Sequence, residues 1–183
     1  MTDWYLIRAT GLVSLVLFTV VTVLGIATAR RWRPRRAPSF VTLGLHRSLS
    51  LLAVVFIAIH VVTAVLDPYA GVTVLSVLVP FAAHWRPLFV GLGTVSLDLV
   101  AALIVTSLVR RHLSRHVWRA VHLLAYVSWP AAIAHSLGTG TDASSPWSQA
   151  ATLVCIAAVG TTLTARLLRR DGLPKHLAPQ GAS

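Results

Sequence analysis

The chain has 183 residues, of which 56% are hydrophobic and only 11% charged, and its mean hydropathy is +0.75. That is too apolar for a soluble domain of this length and predicts an all-α, polytopic transmembrane helix bundle. The net charge of +11 does not point to nucleic acid, because the basic residues cluster between apolar runs, where they serve as topology signals.

Five segments are long and apolar enough to span a bilayer. In chain order they are Thr10 to Ala29, a second with its core at Ser48 to Leu66, Pro87 to Val109 interrupted by Asp98, Ala120 to Thr141, and Ala143 to Ala165. Residues 1–166 are read as a single membrane domain and 167–183 as a tail. Pro68 to Trp85 is also uncharged, but Pro68, Gly71 and Pro80 interrupt it, so a short half-buried external helix or loop is expected there.

The arginines orient the bundle. Arg30, Arg31, Arg33, Arg35 and Arg36 fill the first loop, Arg110, Arg111, Arg115 and Arg119 the third, and Arg166, Arg169, Arg170 and Lys175 the tail. These segments are expected to be cytoplasmic, in a cytoplasmic membrane with the N-terminus outside. Asp67, Arg86 and Asp142 then belong to external loops. Ala27-Thr28-Ala29 has the form of a signal-peptidase site, but Asp3 before it and the five arginines after it favour an uncleaved first helix.

Several chemistries are set aside. One cysteine, Cys155, allows neither an internal disulfide nor a four-cysteine iron-sulfur site, and there is no Cys-x-x-Cys-His motif for covalent haem attachment. There is no Walker motif, and Gly91-Leu92-Gly93 opens no βαβ unit.

The histidines carry the signal. His46 and His60 are separated by fourteen positions, and His122 and His135 by thirteen. At about 1.5 Å per residue each pair extends over roughly 20 Å, about two thirds of a hydrocarbon core. If the second and fourth spans run parallel, His46 comes level with His122 and His60 with His135. A hydrogen bond to a neighbouring helix accounts for a single histidine in a span. Four at matched depths predict two stacked, non-covalent b-type haems held between the second and fourth helices, each with two axial imidazoles.

Helical phase agrees for one pair. A step of fourteen positions returns to within about 40° of the same face, whereas a step of thirteen leaves His135 about 140° away from His122. A distortion at Trp129-Pro130 is therefore expected.

Arg47 and Arg119, beside the inner histidines, are candidates to pair with haem propionates, and Arg8 or Arg86 are candidates outside. Each arginine has the alternative of a topology or interface role. Gly11, Gly25 and Gly44 would admit a flat macrocycle, or serve helix packing. His84, His112, His116 and His176 fall in loops or the tail. His112 and His116 have i, i+4 spacing, but the surrounding arginines repel cations. Asp98 is a candidate for proton movement or for pairing with an arginine.

Leu45-His46-Arg47-Ser48 through Ile59-His60, and Trp118-Arg119-Ala120-Val121-His122 through Ala134-His135, resemble the ferric reductase-like transmembrane domain superfamily. That superfamily includes NADPH oxidases, ferric reductases and bacterial methionine-sulfoxide reductase haem subunits. The resemblance covers roughly residues 10 to 165. It implies an inner haem on His46 and His122 and an outer haem on His60 and His135, passing single electrons across the membrane. Larger members continue into flavin and NADPH domains, whereas only a short tail from Leu167 to Ser183 follows Arg166 here. The resemblance thus implies an electron-transfer subunit of a membrane oxidoreductase. Its donor would be a quinol or a separate flavoprotein, with flavin only on that partner, and its acceptor an external protein or ferric iron. The competing reading is a small permease passing metal or protons through the intramembrane histidines and Asp98, although acidic ligand clusters for divalent ions are lacking.

Overall fold

A backbone in lipid has no water to bond, so apolar stretches of this length satisfy their polar groups within helices. The computed structural model describes residues 2–28, 39–140 and 144–171, which are helices and turns with no strand among them. The helices are α1 (Thr2–Thr28), α2 (Ser39–Leu66), α3 (Val74–Leu78), α4 (Pro87–Leu108), α5 (Arg115–His122), α6 (Ala125–Thr139) and α7 (Pro146–Asp171), with a 3-10 turn at Arg110–His112. Four of them, α1, α2, α4 and α7, are long and apolar enough to cross a membrane. Arg30, Arg31, Arg33, Arg35, Arg36, Asp142, Lys175 and His176 lie outside the described residues, as do Ala29 and the side chains of Asp3, Arg169 and Arg170.

The fourth expected span is divided into α5 and α6. The 15 residues of α6 extend about 22 Å, and Leu123 and Leu124 join it to α5. The distortion lies here, five to seven residues before the expected position, and Pro130 itself sits inside α6. Proline offers no N–H to the carbonyl of Tyr126 and its ring crowds that turn. The preceding segment tightens to three-residue closures, with Leu124 N donating to Val121 O at 2.9 Å and Val127 N to Leu124 O at 2.9 Å. Each residue wound at three per turn adds about 20° of rotation, which recovers part of the phase missing between His122 and His135.

Pro68 to Trp85 holds the expected short helix, α3. Its capping box joins Thr73 and Ser76, and the Thr94 hydroxyl donates to Ser76 O at 2.7 Å, docking α3 on α4. Phe81, at φ 67°, lays its ring where a side chain on Gly91 would stand.

The helices assemble as two antiparallel pairs, α1 with α2 and α4 with α6, while α6 and α7 also pack on α1. In the second pair the Ser96 hydroxyl donates to Ser128 O at 3.0 Å and the Ser128 hydroxyl returns a bond to Ser96 O at 3.1 Å. Leu15, Ile133 and Cys155 form a small core joining α1, α6 and α7, with Trp129 against it. The outward face of α2 is apolar, with Leu51, Val55, Val62 and Leu66 all exposed, as suits a helix bordered by lipid.

Candidate functional site

The two helix pairs hold a cavity of ≈ 330 Å³ between them. It falls in the size range of cofactor sites. His60 of α2 and His135 of α6 face each other across it, with ring centres 6.3 Å apart and planes at 77°. Two imidazole nitrogens sharing one metal at about 2 Å each would be about 4 Å apart, and their ring centres lie about 1 Å further back on either side. The observed separation matches that of two axial ligands.

Each ring is held by the other helix of its own pair. His60 Nδ1 donates to Ile7 O on α1 at 3.1 Å, and His135 Nδ1 donates to Phe89 O on α4 at 2.9 Å. A carbonyl only accepts, so Nδ1 carries the proton and the neutral ring keeps its lone pair on Nε2. Metal-binding histidines are commonly oriented in this way. Glycine makes room behind each ring: a Cβ on Gly11 would come within 3.0 Å of the His60 ring, and one on Gly93 within 2.5 Å of His135.

The inner histidines are arranged similarly but not identically. His46 Nδ1 donates to Val21 O at 3.2 Å, and Gly25 lies behind its ring. His122 lies at the end of α5. Its ring stacks on Trp118 at 4.7 Å, and the Arg110 guanidinium sits 4.3 Å above the Trp118 ring. The buried atoms His122 Nδ1 and Trp118 Nε1 have no hydrogen-bond partner. Buried polar atoms without a partner are rare.

The structure brings His60 and His135 face to face, places His46 against α1 through Val21 O, and stacks His122 on Trp118. It also separates the external arginines. Arg8 lines the outer cavity, whereas Arg86 donates to Gly138 O at the end of α6 and lies 5.1 Å over the Trp85 ring. Arg47, Arg110 and Arg119 are all exposed, and of the three it is Arg110 whose guanidinium lies over the Trp118 ring. A Cβ on Gly44 would meet nothing within 4 Å, so this glycine clears no space within the bundle.

Asp98 is exposed on α4 and lines no part of the cavity. His84, His112 and His116 are exposed, and His112 and His116 belong to different elements. His112 belongs to the 3-10 turn and accepts from Arg111 Nε at 2.9 Å, while His116 belongs to α5. Among the described residues no three His, Cys, Asp or Glu side chains gather as a metal site.

Sequence reasoning misses Gly93 as a spacing residue and Trp118 and Arg110 as a stack. One signal is present: Gly11 and Gly25 are separated by the same interval as His46 and His60. No family model, curated protein or solved structure matches this chain.

Proposed function

We propose that this protein is a b-type membrane cytochrome subunit that holds two haems, an outer one on His60 and His135 and an inner one on His46 and His122, and carries electrons across the cytoplasmic membrane. The observation that carries the reading is the outer pair: two imidazoles at axial-ligand separation, each with Nδ1 bonded to a carbonyl and Nε2 left available. Haem, when bound, supplies an iron that changes oxidation state by one electron. The chain supplies orientation through Ile7, Val21 and Phe89, a mostly apolar cavity, and cationic side chains at Arg8 and Arg110. Two histidines per site suit a macrocycle that brings its own four nitrogens, whereas a bare metal passing through a permease needs more protein ligands than the described residues gather.

The arginine clusters favour an orientation with the N-terminus outside and the C-terminus cytoplasmic. In this reading the donor is a quinol or a separate flavoprotein, and the acceptor an external protein or ferric iron. A pyridine haemochrome assay on protein expressed with ample haem tests the proposal. About two haems per chain are expected from two bis-histidine sites. Protein that is folded, membrane-integrated and free of haem refutes it.

A further inference from the structure

The three histidines bonded to carbonyls share one local pattern. His60 bonds Ile7 O and has Gly11 behind its ring; His46 bonds Val21 O and has Gly25; His135 bonds Phe89 O and has Gly93. In every case the glycine lies four residues after the carbonyl. With 11 glycines in 183 residues, a glycine at all three positions calls for a physical cause.

Helix geometry supplies it. The carbonyl of residue i points along the axis towards residue i+4, whose Cα–Cβ bond leans back towards the helix N-terminus and covers that oxygen. Serine and threonine at i+4 exploit this position, as when Thr19 donates to Leu15 O at 2.8 Å. Glycine at i+4 leaves the oxygen open, and its second lone pair can accept from another helix while the first keeps the intrahelical bond.

We infer that Gly11, Gly25 and Gly93 are positioning residues. Each uncovers one helix carbonyl so that a histidine of the paired helix locks as the Nδ1–H tautomer with Nε2 turned inward. The inference rests on the haem-ligand reading of these histidines and goes beyond it, because the locking is a property of the protein before any cofactor arrives. It also explains why His122 differs. Thr106 follows Gly93 by the same interval that separates His122 from His135, and its hydroxyl itself donates to Ala102 O at 2.7 Å. That carbonyl is covered, and His122 Nδ1 has no hydrogen-bond partner.

The glycines grade the test. A Cβ on Gly93 would lie 2.5 Å from His135 Nδ1, one on Gly11 3.1 Å from His60 Nδ1, and one on Gly25 3.9 Å from His46 Nδ1. The full chain is labelled with ¹⁵N-histidine and expressed under haem limitation, so that Nε2 is free and NMR reads the tautomer directly. Resonances are assigned by single His→Gln substitutions. In wild type, His46, His60 and His135 should be Nδ1–H. Gly93→Ala should abolish that state at His135 alone, Gly11→Ala should reduce it at His60, Gly25→Ala should reduce it least, at His46, and Gly44→Ala, with nothing near its Cβ, should change nothing. In haem-loaded protein, Gly93→Ala should also shift the midpoint potential and low-spin EPR signal of one haem only. Gly11→Ala, with its milder contact, remains informative if Gly93→Ala does not fold. Unchanged tautomers in folded Gly93→Ala, or in folded Gly11→Ala should the first not fold, overturn the inference. Wild-type protein that takes up no haem yet keeps the three Nδ1–H rings refutes the haem reading and leaves this inference supported.

Discussion

Trp129 and Thr19 are joined between the two histidine levels, the indole Nε1 donating to the threonine hydroxyl at 3.0 Å. The bond ties α6 to α1, and so one helix pair to the other. Trp129→Phe keeps most of the packing on Leu15 and Ile133 but removes the donor, and Thr19→Val removes the acceptor. Each should lower stability in detergent by about 0.5–1.5 kcal/mol. A double-mutant cycle should return a coupling of about 0.6 kcal/mol, as is usual for interhelical bonds in membranes. Strict additivity would mean that the bond contributes nothing.

The histidines should fail in pairs. His60→Ala and His135→Ala should each abolish the same spectral and redox component, and His46→Ala and His122→Ala the other. Each variant should retain about half of the wild-type haem, since each site needs both axial ligands. Redox titration of the four variants checks the grouping. Losses that cross between the outer and inner pairs would contradict the proposed pairing of the histidines.

Arg8 and Arg86, equivalent by sequence, should behave differently. Arg8 lines the outer cavity, and a nearby cation disfavours the ferric state, so Arg8→Gln should lower the outer midpoint potential. A unit charge at about 10 Å in an effective dielectric near 20 corresponds to a shift of several tens of millivolts. Arg86→Gln should leave both potentials unchanged and lower the melting temperature, because its guanidinium bonds the last turn of α6.

Trp118 should matter to the inner site alone. Its ring stacks on His122 and lies under the Arg110 guanidinium, so Trp118→Leu removes both the stack and the buried Nε1 donor. The expected result is a shifted or more easily lost inner haem with an intact outer one, read by spectroscopy after mild detergent stripping. Arg119→Gln, at an exposed position, should leave the inner haem unaltered.

The long helices are legible in the sequence because hydropathy is local: α1, α2, α4 and α7 correspond to four expected spans, and the Pro87 start of α4 coincides with the expected one. The histidine levels are legible because helical rise is constant. What one-dimensional spacing does not contain is which face of one helix meets which face of another. Hence Gly93 reads only as part of an incomplete dinucleotide fingerprint, Arg119 is a nearer neighbour of His122 in sequence than Arg110, and Arg8 and Arg86 look alike. Proline marks where a donor is missing, so the sequence points to Pro130 as the break. The helix instead divides nearly two turns earlier, at Leu123 and Leu124.

Because His60 and His135 are each held by their own helix pair, the order of synthesis has a consequence. His135 lies well downstream of His60, and at a typical ribosomal rate of about 5–20 residues per second the second ligand is made several seconds after the first. During that interval α1 and α2 can already be paired, with His60 fastened to Ile7 O and its other nitrogen aimed at an absent companion. His122 precedes His135 in the chain, so both inner ligands leave the ribosome before the outer pair is complete. Nascent chains halted between the two would therefore contain the inner ligand set and half of the outer one.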